Sequence, residues 1–196
     1  MYKIGAGSVD AAEKIVIDKS LWGFDEYKPL VTLQISYDDV GFNVLFTTFE
    51  QNPTRDKKNH FEQVNEDSCV ELFLNFLPKT SDRYINFEVN ANGKMNVAFR
   101  KDRYMRTKLS LGDVEGFGIV SRIFDDYWTA QYKISYEFLK KYYLDFDIDK
   151  CDYIIGNVYK CGEKTEFEHY MSLFEVKCET PDFHRPEYFG EFKIIR

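Results

Sequence analysis

Carboxylate and amide side chains recur along one side of the predicted strands between residues 67 and 100. Apolar and polar residues alternate there with period two, which is typical of strands that bury one face. The polar positions of the first two strands are Glu71, Asn75, Asn86, Glu88 and Asn90. Adjacent rows of carboxylates and amides offer many donors and acceptors, which suits a hydroxyl-rich ligand. An ordinary solvated sheet face has the same pattern, so spacing alone leaves both interpretations open.

The apolar positions predict how these strands are oriented. The residues expected to face the core are Val70, Leu72, Phe87 and Val89. Asn92-Gly93 follows the second strand and predicts a hairpin turn, because both residue types tolerate positive φ. We therefore expect Glu71, Glu88 and Asn90 to be solvent-accessible neighbours on the opposite face.

A pair of carboxylates could also perform acid–base chemistry. Glu71 and Glu88 lie on the same face of neighbouring predicted strands, near the ~5 Å spacing of retaining glycosidases. A glycoside- or ester-hydrolase-like enzyme that uses these two residues is therefore the alternative function. No Gly-x-Ser-x-Gly sequence occurs, and the three histidines lie in unrelated segments. We favour binding over catalysis and assign no catalytic residue.

Metal binding finds little support in the spacing of the potential ligands. The four cysteines form no Cys-x-x-Cys pair, which argues against a zinc knuckle. Cys151 and Cys161 flank one predicted strand, which would hold them apart, so reduced thiols are expected. The carboxylates of residues 145–149 resemble the start of an EF-hand loop, but Lys150 and Gly156 stand where glycine and glutamate are needed. A looser calcium site at residues 145–149 stays open.

Composition indicates one folded domain over residues 1–196. Hydrophobic residues make up 44% of the chain and aromatic residues 17%, which argues against disorder. The net charge of −7 gives no general attraction to nucleic acid or to an anionic membrane. No apolar run is long enough to span a bilayer, and residues 1–17 lack the pattern of a secretory signal. We expect a cytoplasmic protein.

Many short strands separated by turn signals predict an all-β fold. The expected architecture is an antiparallel β-sandwich, jelly-roll or immunoglobulin-like, in which Trp128 faces inward. One short helix is expected at residues 136–142, because Ser135 can cap its start. Residues 50–66 form the longest early loop, a place where ligand-binding groups tend to lie, and residues 110–118 are interpreted as a glycine-rich loop.

Four segments together resemble the family 9 carbohydrate-binding modules. They are Asp67-Ser68-Cys69-Val70-Glu71-Leu72-Phe73, the strand of residues 84–90 with its Asn92-Gly93 turn, Trp128, and the stretch Phe183-His184-Arg185-Pro186-Glu187-Tyr188-Phe189-Gly190. The likeness runs from Trp22 to the C-terminus and is greatest to the stand-alone, DOMON-like branch. It implies a β-sandwich that binds a mono- or oligosaccharide, including the end of a polysaccharide, within carbohydrate catabolism.

The resemblance also implies which residues would bind the sugar. Polar side chains that hydrogen-bond hydroxyls in the family correspond here to Glu71, Glu88 and Asn90. Two tryptophans clamp the sugar ring in the family, and their places are taken here by Asn65 and Leu173. Calcium ions stabilise loops in some members.

The missing tryptophans weaken the expected binding. Each absent ring removes roughly 1–3 kcal/mol of stacking energy. Tyr104, Tyr170 or Phe174 could supply a replacement ring. A degenerate module that contacts protein is a third possible function.

Overall fold

The computed structural model describes residues 2–196. Its strands are β1 (Tyr2–Ala6), β2 (Ile15–Ile17), β3 (Lys19–Ser20), β4 (Leu30–Tyr37), β5 (Gly41–Phe49), β6 (Cys69–Asn75), β7 (Tyr84–Asn90), β8 (Met95–Arg100), β9 (Arg106–Lys108), β10 (Val120–Ile123), β11 (Trp128–Ser135), β12 (Tyr153–Gly162), β13 (His169–Ser172) and β14 (Gly190–Ile195). The α-helices are α1 (Leu111–Gly116) and α2 (Tyr136–Tyr142). Short 3-10 turns occur at Val9–Ala11, Val64–Glu66, Ile148–Lys150 and Pro186–Tyr188. No helix within residues 2–196 has the length and apolar character needed to cross a bilayer.

The strands join in one long sheet that curls so that its two ends pack against each other. The main path of the sheet has the order β10-β11-β5-β4-β1-β14-β12-β6-β7-β8-β9, while β2 pairs with β4, and β13 pairs with β12 and β3. Aromatic side chains meet between the halves, with Phe87 of β7 stacked on Tyr132 of β11 at 5.9 Å between ring centroids. This packing makes the two layers of an all-β fold, as the alternation of apolar residues predicts.

The prediction of a purely antiparallel sheet is wrong at one strand. β1 runs parallel to both of its neighbours, β14 and β4. It pairs Ile4 with Ile194, and Gly5 with both Ile195 and Ser36. The sequence does not predict β1, because this five-residue strand contains a glycine and presents little alternation. The sheet is therefore mixed, and β1 connects the first half to the second.

The prediction of a single helix is also wrong. Residues 111–116 form α1, although they contain two glycines. Ser110 caps this helix by accepting a hydrogen bond from the Asp113 backbone N–H, and the Asp113 carboxylate accepts one from the Ser110 backbone N–H. This reciprocal capping, together with burial of Val114, stabilises a short helix despite its low propensity. The predicted helix at residues 136–142 is confirmed, with Ser135 as its cap.

Apolar residues form two clusters, one on each face of the central strands. The main core lies between the layers and contains Val70, Leu72, Phe87 and Val89, as predicted, and the fully buried Trp128. A second cluster covers the outer face of β6, β7 and β12. Its members come from strands and from loops at both ends of the chain: Leu21, Val64, Cys69, Phe73, Tyr84, Tyr159, Cys161, Tyr170, Val176 and Phe183. Loops therefore cover the face that the sequence analysis left open to solvent.

The turn after β7 depends on one glycine. Gly93 has a φ of 72°, which favours glycine, and its N–H donates to the Asn90 carbonyl oxygen at 2.8 Å. Asn92 does not adopt positive φ, so the turn differs from a two-residue hairpin in which both residues would. The predicted hairpin between β7 and β8 is nevertheless present.

Candidate functional site

A polar cleft with a volume of about 450 Å³ opens above the outer face of β6, β7 and β8. Its floor comes from strand residues, and its walls come from loops that are far apart in the sequence. The lining residues are Trp22, Gln63, Asn65, Glu71, Glu88, Asn96, Arg100, Arg103, Tyr104, Arg106, Glu163, Tyr170, Pro181, Asp182, Phe183 and His184. Two of them belong to the predicted loop at residues 50–66.

Glu71 and Glu88 lie side by side in the floor of this cleft. They are direct partners in the antiparallel pairing of β6 with β7. The prediction that they are solvent-accessible is wrong, since Glu71 is only 3% exposed and Glu88 only 4% exposed. Loops and the second apolar cluster leave only the tips of these side chains at the cleft.

The two carboxyl groups differ in their hydrogen bonds. Glu88 accepts one from Asn86 Nδ2 at 2.8 Å and one from Asn96 Nδ2 at 2.7 Å. Within residues 2–196, the only hydrogen-bond contact of the Glu71 carboxyl is with Sγ of Cys161, at 3.2 Å. Glu71 therefore keeps hydrogen-bonding capacity for a ligand, whereas both oxygens of Glu88 are already engaged.

Burial dominates the electrostatics of the floor. It raises the pKa of Glu71 well above its usual range, and the neighbouring Cys161 and Glu88 raise it further. Burial also raises the pKa of Glu88, against the opposing effects of Asn96 and Arg100. A carboxyl group held closer to its protonated form can both donate to and accept from a hydroxyl group.

Arginine side chains form the edge of the cleft next to β8. The Arg100 guanidinium donates through Nε to Asn86 Oδ1 at 2.6 Å and through one terminal nitrogen to the Arg103 carbonyl at 3.0 Å. Arg103 forms an ion pair with Asp182 across the cleft, at 2.9 Å. These contacts fix the loop that carries Tyr104.

Aromatic rings form two walls of the cleft. The sequence alone does not predict that these rings lie around the same cleft. Trp22 packs at 5.6 Å from Phe183 and 5.4 Å from Tyr170, measured between ring centroids. Its indole N–H donates to the Cys178 carbonyl at 2.8 Å. Tyr104 projects from the loop after β8 and is 85% exposed. The sequence signal for Trp22 as a wall residue is a tryptophan in a loop without apolar periodicity. Tyr104 is predicted only as a possible replacement ring for a missing tryptophan.

The remaining predicted site residues lie in different places. Asn65 lines the cleft. Asn90 is fully buried and outside the cleft lining, with its amide donating to Asp67 at 2.7 Å and to the Lys57 carbonyl at 3.0 Å. Leu173 is buried in the main core. The hydrogen bonds of Asn90 therefore hold the loop before β6 in position. Leu173 does not contact the cleft, because its side chain lies in the main core.

The potential metal ligands that lie together in the structure are not those of the predicted calcium site at residues 145–149. In residues 2–196, the one group of three such side chains with ligand atoms within 4.8 Å of one another is Cys69, Glu71 and Cys161. The carboxylates at residues 145–149 do not converge in this way. Asp147 instead pairs with Lys150 at 2.9 Å and accepts a hydrogen bond from the Asp149 backbone N–H. A calcium site at residues 145–149 therefore stays a prediction.

A buried polar network lies near the C-terminal end of β12. The Lys160 ammonium is fully buried and lies 2.7 Å from His169 Nε2 and 3.4 Å from a Glu50 carboxylate oxygen. The Glu50 carboxylate also accepts hydrogen bonds from Trp128 Nε1 at 3.0 Å and from Ser68 Oγ at 2.9 Å. This network links the two layers of the fold.

Acidification is expected to destabilise the protein through His169. Burial and the adjacent Lys160 lower the pKa of His169 from 6.5 to about 4. The unfolded chain therefore binds this proton first, and the free energy of unfolding falls as the pH drops from about 6.5 to about 4, by on the order of 1–3 kcal/mol. Urea unfolding at several pH values between 7 and 4 measures this decrease in the free energy of unfolding. His169→Gln should show a shallower decrease, and an identical decrease would contradict the assignment.

The sequence matches one protein family over nearly its whole length. The model of Carbohydrate-binding family 9 matches residues 8–194. The chain belongs to carbohydrate-binding family 9. No protein with a curated description matches it.

Solved structures share the fold of this family 9 module. A candidate carbohydrate-binding protein from Bacteroides uniformis superposes with a TM-score of 0.84 at 22% identity, covering 100% of this chain and 98% of that chain. A family 9 module from Caldicellulosiruptor kristjanssonii in complex with cellotriose gives a TM-score of 0.70 at 13% identity, covering 98% of this chain and 92% of that chain. A structure of such a module from the same organism in complex with glucose gives 0.67 at 14% identity, covering 100% and 95%. These likenesses establish the β-sandwich fold.

Proposed function

We propose that this family 9 module binds a mono- or oligosaccharide, without catalysis, in the cleft above Glu71 and Glu88. The observation that carries the proposal is a buried carboxyl group with unused hydrogen-bonding capacity in a cleft walled by Trp22 and Tyr104. Aromatic faces suit the apolar faces of a sugar ring, and carboxyl, amide and guanidinium groups suit its hydroxyls. The cleft volume of about 450 Å³ falls within the ~300–1,000 Å³ range of ligand pockets.

Glucose and β-linked glucose oligosaccharides are the first ligands to test, because family 9 relatives were solved with glucose and with cellotriose. We expect dissociation constants of about 0.1–1 mM. Each polar contact replaces a hydrogen bond to water and nets only about 0.5–1.5 kcal/mol, while a millimolar constant requires about 4 kcal/mol. Isothermal titration calorimetry measures the affinity. Release of the leaving group from aryl glycosides by the pure chain would contradict the non-catalytic assignment.

Tyr104→Ala is expected to weaken glucose or cellotriose binding by about 10-fold. The side chain is 85% exposed, so its loss removes a ring from the cleft without opening the core. Stacking of about 1–3 kcal/mol sets the size of the effect. Calorimetry on Tyr104→Ala and Tyr104→Trp checks it, and the tryptophan variant should bind at least as tightly as the native chain.

Leu144→Ala is the matched control for Tyr104→Ala. Leu144 is 84% exposed and lies outside the cleft lining, so the same truncation should leave sugar affinity unchanged. Equal affinity in Tyr104→Ala and the native chain would place the sugar away from this wall.

We also infer that the module serves carbohydrate catabolism in the reducing environment of the cytoplasm. Membership of a carbohydrate-binding family supports the role in carbohydrate catabolism. The support for the compartment is that all four cysteines are free thiols in the structure. All four should react with a thiol reagent in denaturant that contains a chelator, without prior reduction. A count below four, or a mass that reveals a disulfide, would overturn the inference.

A further inference from the structure

Two cysteines and a carboxyl group that are distant in the sequence converge beneath the floor of the cleft. Cys69 on β6 and Cys161 on β12 are direct partners in an antiparallel pair, and Glu71 follows Cys69 on the same face of β6. One ligand atom from each of the three lies within 4.8 Å of the other two. Cys161 Sγ lies 3.2 Å from Glu71 Oε1.

Three corners of a tetrahedral zinc site are compatible with the 3.2 Å between Cys161 Sγ and Glu71 Oε1 and with the 4.8 Å limit on the other two separations. Zinc binds thiolate sulfur at about 2.3 Å and carboxylate oxygen at about 2.0–2.2 Å, so ligand atoms around it lie roughly 3.3–3.8 Å apart. Metal binding would draw the three atoms to that spacing. Two sulfur ligands favour a soft cation of the zinc class over calcium or magnesium, which prefer all-oxygen sites.

The surroundings also favour a bound cation. Both cysteine side chains are fully buried and too far from solvent to be explained as surface thiols. Glu71 lines the cleft, so the fourth coordination position is reachable from there by water or by a hydroxyl group. The Lys160 ammonium donates to the Cys161 carbonyl at 2.9 Å, and its ion pair with Glu50 limits its repulsion of a cation at this site.

We propose that Cys69, Glu71 and Cys161 form a binding site for one soft divalent cation of the zinc class. The spacing along the sequence concealed this site, because its ligands come from strands that meet only in the folded sheet. Binding displaces the thiol protons to solvent, and the metal adds a cross-link between β6 and β12. The site shares Glu71 with the proposed sugar site, but its test uses no sugar, so the two proposals can fail separately.

Cobalt is the probe, because Co²⁺ replaces Zn²⁺ and has optical bands that report on its ligands. The full chain is stripped with a chelator under reducing conditions and titrated with Co²⁺. We expect saturation at one equivalent, with a near-ultraviolet sulfur-to-cobalt charge-transfer band and the visible bands of tetrahedral cobalt. Zn²⁺ should abolish these bands and raise the thermal unfolding temperature of the native chain, whereas Ca²⁺ and Mg²⁺ should do neither.

Cysteine variants locate the site. Cys69→Ser and Cys161→Ser should each lose at least about half of the charge-transfer intensity, because each removes one of two sulfur ligands, while Cys151→Ser and Cys178→Ser, the matched controls, should retain it. Circular dichroism establishes that each variant is folded. Glu71→Gln keeps both thiols, and it should weaken cobalt binding by about 10-fold or more, at least as much as removal of an outer-shell group. This variant tests the site even where a cysteine variant fails to fold.

Three results would overturn the proposal. One is absence of a charge-transfer band in the folded, reduced native chain. Another is a band of undiminished intensity in folded Cys69→Ser and Cys161→Ser. The third is a Cys69–Cys161 disulfide in the freshly purified chain, found by mass spectrometry, because those sulfurs could not then bind metal.

Discussion

Glu71→Ala is expected to abolish measurable glucose binding. Glu71 is the floor residue whose carboxyl has unused hydrogen-bonding capacity, and the native affinity is expected to be only about 0.1–1 mM. Losing about 1.5 kcal/mol or more of hydrogen bonding weakens binding at least about tenfold, at roughly tenfold for each 1.4 kcal/mol, which moves the dissociation constant to about 1–10 mM or beyond. Isothermal titration calorimetry with glucose and cellotriose makes the measurement.

The same change should not reduce stability. Burial of Glu71 beside Glu88 carries a desolvation cost, and removing one of two adjacent carboxyl groups relieves it. We therefore expect an unfolding temperature equal to or above that of the native chain. Glu163→Ala is the control, since Glu163 lines the cleft without belonging to its paired floor and should reduce affinity less. Unchanged sugar binding in Glu71→Ala would place the site elsewhere.

Glu50→Ala is expected to destabilise the protein by about 3–5 kcal/mol. The change leaves the fully buried Lys160 ammonium without its carboxylate and removes the acceptor for Trp128 and Ser68. An uncompensated buried charge has this order of cost, which is a large part of the ~5–15 kcal/mol stability of a typical domain. Urea unfolding followed by tryptophan fluorescence measures the change.

The double variant Glu50→Ala/Lys160→Met separates charge from packing. It removes both members of the pair, so it should recover most of the stability that Glu50→Ala loses. Asp25→Ala is the control, because it breaks a surface ion pair with Lys28 and should leave stability unchanged. No recovery in the double variant would mean that lost hydrogen bonds, not the unpaired ammonium, cause the destabilisation.

The sequence predicts what depends on short-range periodicity. The pairing of β6 with β7 and the placement of Glu71 opposite Glu88 follow from period-two alternation and one turn. The capped helix α2 follows in the same way from Ser135 and the pattern after it. Each of these features is decided within about twenty residues, where local preferences act directly.

Features that depend on long-range packing were not predictable in this way. Solvent exposure of Glu71 and Glu88 was wrong because Leu21, Trp22 and Phe183 cover that face from distant loops without periodic patterns. The contact between Glu71 and Cys161 joins positions 90 residues apart, and it exists only because β12 pairs with β6. The aromatic walls depend on the same loop placement.

The parallel pairing of β1 with β14 determines how the module responds to mechanical force. The first and last strands of the chain are neighbours, with Tyr2 opposite Phe192 and Gly5 opposite Ile195. Tension applied between the two chain ends therefore pulls these strands lengthwise in opposite directions. The interstrand hydrogen bonds of this pair are then loaded at the same time, in shear, and do not break one after another. We therefore expect this strand pair to resist a pull between the two ends better than a pair whose hydrogen bonds break one at a time.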